Sequence, residues 1–206
     1  MSNPVMLITG TSRGIGFACA EYFSSRYTIV GISRSAGAYV TEIGSITDLE
    51  FRKYLIDKYT PDVFINNAGV GGNVPYHKII QTNAEAAGDL LLGFANKMNK
   101  GHIINMSSWL ATISVHNPHG GYGELSYQVA KKLLSNMSKE LISKKNGCVK
   151  ITSIEPQRVD TGMIKNLGNI IPMSPTYIAE TIDWIINQPQ WVNVDSICLS
   201  NFKTNQ

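Results

Sequence analysis

The stretch "VMLITGTSRGIGFACAEYFSS", Val5 to Ser25, decides the fold. Its first five residues, Val5 to Thr9, are a short apolar run of strand length. Residues 15–25 follow with helical periodicity. Between them stand Gly10, Gly14 and Gly16, spaced G-x3-G-x-G. Glycine permits a tight turn and a close approach of backbone to a ligand. The following helix N-terminus presents free N–H groups and a positive dipole end, which suit a pyrophosphate. A strand, a glycine turn and a helix in that order predict a dinucleotide site. The plainer alternative is a Gly-rich turn with no ligand.

The pattern repeats outward from that unit. Residues 27–33 ("YTIVGIS"), 62–67 ("DVFINN"), 102–108 ("HIINMSS"), 149–155 ("VKITSIE") and 195–200 ("DSICLS") read as strands. Helices are predicted over 48–59 with Asp48 as N-cap, over 77–99, and over 126–145 with Leu133, Leu134, Met137, Leu141 and Ile142 on one side. A last helix over 174–188 has Ser174 as N-cap and Pro175 at its first position. Near-continuous apolar strands alternating with helices mean a parallel sheet covered on both faces. The predicted fold is a doubly wound α/β (Rossmann) sheet, one domain over 1–206. One place breaks the rhythm. Only Arg34 to Ala38 separate the second strand from "YVTEI" (39–43), too few for a crossover helix. Either that helix is missing or abbreviated and a loop makes the crossing, or "YVTEI" is not a parallel strand.

In such folds an acid at the end of the second strand binds the ribose 2′-hydroxyl of NAD. Here that strand ends "GISRS", with Ser33 in the acid's place and Arg34 next. Arg13 lies inside the glycine turn. Two guanidiniums, with Ser12 and Ser35 nearby, suit a 2′-phosphate, and so NADP over NAD. Both arginines as solvated surface residues are the alternative.

The totals exclude several classes. The chain has 206 residues, 43% hydrophobic and 16% charged, with a net charge of +3. That balance gives no argument for nucleic acid as partner. No apolar run approaches the ~20 residues of a membrane helix, and the N-terminus lacks the pattern of a signal peptide. Cys19, Cys148 and Cys198 are odd in number and far apart, so neither a disulfide framework nor a zinc site is indicated, and all three read as buried thiols. His116 and His119 have no acidic or Cys neighbour to complete a metal site. A cytoplasmic location with reduced thiols is the default.

Several further stretches occur in a telling order: "NNAG" (Asn66 to Gly69), "TNAEAAG" around Asn83, "NMSS" ending at Ser108, "YQVAK" with Tyr127 and Lys131, and "IEPQRVDTGM" with Pro156, Val159 and Thr161. With "TGTSRGIG" they resemble the classical short-chain dehydrogenase/reductase family over most of the chain. The resemblance implies Tyr127 as proton donor and acceptor, and Lys131 as the cation that lowers its pKa and holds the nicotinamide ribose. It implies Ser108 as the group that binds the substrate oxygen, and Asn83 as the holder of a water linking Lys131 to solvent. It also implies cofactor contacts from Ile15, Asn67, Ala68, Gly69, Val159 and Thr161, and a homodimer or homotetramer. The physics agrees. Tyr127 and Lys131 lie one helical turn apart, ~6 Å along the axis. A nearby ammonium favours phenolate over a phenol that ordinarily titrates near ~10. An isolated Tyr-x3-Lys pair also arises by chance in many helices.

The chain departs from the family pattern in places. Ser45 replaces the usual Asp that holds adenine, though Ile46 can offer its backbone N–H. Gln157 replaces the Gly after Pro156. Ser108 and Tyr127 are 19 positions apart, more than is usual, and the intervening loop should border the substrate pocket. Trp109, Leu110, Tyr122, Met163 and Ile164 are candidate walls, or equally core. The implied reaction is NADP(H)-dependent reduction of a carbonyl, or oxidation of an alcohol, on a small to medium, partly apolar substrate. The alternatives are a nucleotide-binding regulator with little turnover, and a C=C or pteridine-type C=N reductase on the same scaffold.

Overall fold

A computed structural model describes residues 3–113, 122–144, 149–163 and 171–202, with the side chains of 122, 123 and 144 left aside. In chain order the elements are β1 (Val5–Thr9), α1 (Gly14–Phe23), β2 (Thr28–Ser33), β3 (Glu42–Ile43), α2 (Leu49–Lys58), β4 (Val63–Asn66), α3 (Tyr76–Ile80) and α4 (Ala87–Lys97). They continue with β5 (Gly101–Met106), α5 (Tyr122–Lys144), β6 (Val149–Pro156), α6 (Pro175–Ile186) and β7 (Ser196–Leu199). The seven strands form one sheet in the order β3-β2-β1-β4-β5-β6-β7, each pairing parallel. Strand order reverses between β1 and β4. In an open parallel sheet that is where a crevice opens beyond the carboxyl ends of the strands.

Side chains alternate across the sheet. Leu7, Phe64, Ile103 and Ile151 face one core with Leu55 of α2, Leu90, Leu91 and Phe94 of α4, and Leu134 of α5. Met6, Ile8, Ile65, Ile104 and Ile154 face the other, against α1 and α6. Phe64 and Phe94 meet at 4.5 Å between ring centroids. Within α5, Leu134 is buried and Met137, Leu141 and Ile142 pack against the first core. Leu133, expected on that side, is 47% exposed. Adjacent helical positions lie ~100° apart, so of Leu133 and Leu134 only one can face the sheet. The helix also begins at Tyr122, four residues earlier than the sequence predicted.

The caps fall where the sequence puts them. Asp48 accepts from the Glu50 and Phe51 amides, and Ser174 from the Tyr177 amide, with Pro175 following. The region between β2 and β3 holds no helix. The chain instead crosses back as a loop to a two-residue parallel strand. Gly31 makes this passage: a Cβ there would lie 1.6 Å from the Tyr39 carbonyl oxygen. The Thr41 amide then donates to the Gly31 carbonyl at 2.7 Å. Any side chain at 31 would push the loop off β2.

Of the cysteines, Cys19 is buried and burial pushes its thiol up to about 12. Cys198 is exposed, against expectation. It lies on the edge strand β7, where Ile197 and Leu199 turn inward and Ser196 and Cys198 outward. Cys148, His116 and His119 lie outside the described residues.

Candidate active site

A cavity of about 730 Å³ opens at the carboxyl ends of β1 and β4. At one end is the glycine turn. Gly10 and Gly14 hold φ of 82° and 61°, and the Gly10 carbonyl folds back so closely that a Cβ on Gly16 would lie 2.3 Å from it. Gly16 therefore shapes the turn from behind and is not on the cavity wall, whereas Gly10, Ser12, Arg13, Gly14 and Ile15 are. The N-cap of α1, Arg13, makes no side-chain cap bond, so the first amides of the helix face the cavity uncapped by protein.

The second loop is tied to the first by Thr9. Its Oγ1 accepts from the Asn67 and Ala68 amides, both at 2.9 Å, while Asn67 Nδ2 donates to the Thr9 carbonyl at 2.8 Å. Asn67, Ala68 and Gly69 thereby line the cavity beside Ser33 and Arg34 at the end of β2. Ser45 and Ile46 line it from the next loop. Ser45 spends its hydroxyl on Thr47 Oγ1 at 2.8 Å, in place of the acid that usually stands there. The loop itself is held by buried Arg52, which sequence reasoning did not single out. Its Nη1 donates to the Ile46 carbonyl at 2.7 Å and its Nη2 to Asp89 at 2.9 Å. Nothing in the local pattern of α2 marks Arg52, because its partners lie elsewhere in the chain.

At the other end stand Ser108, Tyr127 and Lys131, all on the cavity wall. The Lys131 ammonium, 4% exposed, donates to the Met106 carbonyl at 2.6 Å and lies 5.8 Å from the Tyr127 ring centroid. Its burial lowers its pKa to about 8. The Tyr127 phenol is raised above its ordinary value, chiefly by burial, with a hydrogen bond from Ser108 pulling the other way. Among the protein's own groups, burial sets the direction at Tyr127. The α5 helix is docked here by Ser107, whose hydroxyl donates to the Lys131 carbonyl at 2.9 Å, and by Ser135, which reaches Ser107 Oγ at 2.7 Å and Glu155 at 2.9 Å.

Asn83 sits in a π-helical turn, Gln81–Ala86, between α3 and α4. Such turns insert one extra residue and often mark functional segments. Its carboxamide clamps one backbone unit: Oδ1 accepts from the Val70 amide at 2.8 Å and Nδ2 donates to the Val70 carbonyl at 2.7 Å. It is fully buried and off the cavity wall, so its side chain acts on the cavity through Val70, which is on the wall. Gly71, next in line, packs beside Tyr127 and Met163.

Pro156, Val159, Thr161 and Met163 complete this end, together with Gln157, Val74 and Pro75. Trp109 and Leu110 do not line the cavity. They belong to a 3-10 turn, Trp109–Ala111, started by Ser108 Oγ accepting from the Leu110 amide at 3.3 Å, which carries the chain away. The Tyr122 side chain, Ile164 and most of the long loop before α5 lie outside the described residues.

Comparisons with known proteins place the chain in a family. Residues 4–170 match the short chain dehydrogenase family. The serine 3-dehydrogenase of Rhizobium radiobacter is 29% identical over 233 residues, covering 93% of this chain and 91% of that one. Among solved structures, an alcohol dehydrogenase from Thermococcus sibiricus complexed with 5-hydroxy-NADP superposes with a TM-score of 0.78 at 21% identity, covering 100% of this chain and 98% of the other. The 3-alpha-hydroxysteroid dehydrogenase of Pseudomonas sp. B-0831, complexed with NADH, gives 0.80 at 18% identity, covering 95% and 94%. The chain is a member of the short-chain dehydrogenase family, an oxidoreductase family, built on a Rossmann-type parallel sheet.

Proposed function

We propose that the protein is an NADP(H)-dependent oxidoreductase that reduces a carbonyl, or oxidises an alcohol, with Tyr127 as the acid and base. The observation that carries this reading is one cavity with two chemically different ends. At one end, uncapped helix amides, Arg13 and Arg34 surround the glycine turn, and Ser33 stands where an acid would repel a 2′-phosphate. At the other, Ser108, Tyr127 and Lys131 converge. The residues fit a nicotinamide dinucleotide, which when bound supplies or takes the hydride.

The protein's own groups manage the oxygen and the proton. Ser108 Oγ holds the substrate oxygen beside Tyr127 Oη, and the phenol gives its proton to that oxygen as negative charge develops there. A phenol held neutral by burial is ready to donate. Lys131, largely ammonium at neutral pH, stabilises the phenolate left behind and binds a ribose hydroxyl. Asn83 holds the Val70 unit, and through it the cavity wall next to Gly69. The unpaired Cys19 and Cys198 suit a reducing, cytoplasmic setting.

Kinship with a serine 3-dehydrogenase recommends 3-hydroxy acids and their 3-oxo counterparts as first substrates to try, followed by small apolar ketones that suit Val74, Pro75 and Met163. Consumption of NADPH and NADH with this panel tests the reading. NADPH is expected to be preferred, and Arg34→Ala to raise the KM for NADPH at least about tenfold while sparing that for NADH. Equal effects on the two cofactors would refute a 2′-phosphate contact.

A further inference from the structure

Gln157 stands where the family resemblance leads one to expect glycine, and the structure gives it a partner far along the chain. Its backbone amide donates to the Leu199 carbonyl at 2.8 Å, and its Oε1 accepts from the Asn201 amide at 2.8 Å. Asn201 answers with its own carboxamide. Oδ1 accepts from the Arg158 amide at 2.9 Å, and Nδ2 donates to the Arg158 carbonyl at 3.2 Å and to the Ile171 carbonyl at 2.8 Å. On the far side of the same segment, Met173 donates to the Arg158 carbonyl and accepts from the Asp160 amide, both at 2.9 Å.

The segment so held is the wall of the cavity that carries Val159 and Thr161. A short loop beyond a strand end is ordinarily among the more mobile parts of a fold. Here it is bracketed between Met173 and Asn201: the Asn201 carboxamide takes the Arg158 amide and shares the Arg158 carbonyl with the Met173 amide. Asn201 itself is not on the wall of the cavity.

We infer that Asn201, through Gln157 and Arg158, is a positioning residue for the nicotinamide end of the cofactor. The inference rests on the proposed dinucleotide reading of the cavity. It differs from a general stabilising role in one respect: the clamp acts on a single end of the ligand. Loosening the 157–161 segment should weaken whatever contacts Val159 and Thr161; Thr161 packs against Gly14, but Ser33, Arg34, Ser45 and Ile46, which line the adenosine end, stand on other elements and should keep their hold.

The test is calorimetric binding of two ligands to the full chain: NADPH, and 2′-phospho-ADP-ribose, which has the adenosine half, pyrophosphate and distal ribose but no nicotinamide. For Asn201→Ala the expected result is about tenfold weaker NADPH binding with the fragment held within about twofold. Asn201→Ser keeps a hydroxyl that can both accept and donate, so it disturbs the segment less and should fall between Ala and wild type. NADPH binding unchanged in either variant, or both ligands weakened equally, would overturn the clamp while leaving the dinucleotide site standing. Wild-type protein that binds neither ligand would overturn the dinucleotide reading, and the clamp with it.

Discussion

At the residue scale the proposed chemistry turns on two side chains. Tyr127, buried at the cavity end, is pushed toward its neutral form, and Lys131 is pulled down to about 8 by the same desolvation. The two shifts run in opposite directions because burial penalises whichever form is charged. The sign for activity follows. Lys131 is an ammonium below about pH 8 and loses its charge above it, while Tyr127 stays neutral across that range. Reduction, which needs the ammonium to stabilise a nascent phenolate, should therefore fall as pH rises through about 8. A kcat/KM profile for the free enzyme checks this, and a rate that holds level for two pH units beyond that point would contradict it. The spacing of Tyr127 and Lys131 was legible in the sequence, but the shifts were not. They depend on how α5 is docked, through Ser135 and the Lys131 carbonyl, onto Ser107 beyond β5 and Glu155 of β6, which are far apart in sequence.

Elements differ in how far their own residues specify them. The glycine turn, the Asp48 cap and the Ser174–Pro175 start are written in contiguous residues, and the structure forms each of them. The face of α5 was less legible, since neighbouring leucines at 133 and 134 compete for one core direction and only the sheet decides between them. The absent helix after β2 could be anticipated from the shortness of the connection. What replaces it could not, because the contact of Gly31 with Tyr39 joins a strand to the loop of Arg34 to Thr41, a pairing no local pattern marks. That contact yields a prediction at this scale. Gly31→Ala forces the Tyr39 carbonyl away and strains β3 off the sheet edge, so it should destabilise the fold by roughly 1–3 kcal/mol, as overpacking typically does. Chemical denaturation reads this directly. A midpoint equal to wild type would show that the loop gives way freely.

The whole molecule places these pieces by topology. Parallel strands in the order 3-2-1-4-5-6-7 put the ends of β1 and β4 side by side, and with them the glycine turn and the Asn67–Gly69 loop. The same order brings the ends of β5 and β6 to the far side of the cavity, where Ser108 and Pro156 both line it. Much of the cavity wall was thus readable as motifs in sequence, because the glycine turn, Asn67–Gly69, Ser108 and Pro156 sit at strand ends, while Tyr127 and Lys131 are one turn apart on α5. Arg52, Asn201 and the clamp of Asn83 on Val70 were not, since each gains its meaning from a partner that only the folded chain supplies. The proposed reduction turns on Tyr127 as the group that transfers the proton. The most direct measurement compares NADPH oxidation by wild type and Tyr127→Phe with any ketone the wild type accepts, alongside the NADPH Kd of each. Loss of the phenol proton should cost the rate about 10²–10⁴-fold with Kd changed by no more than about twofold. A Tyr127→Phe protein that turns over at the wild-type rate would contradict it.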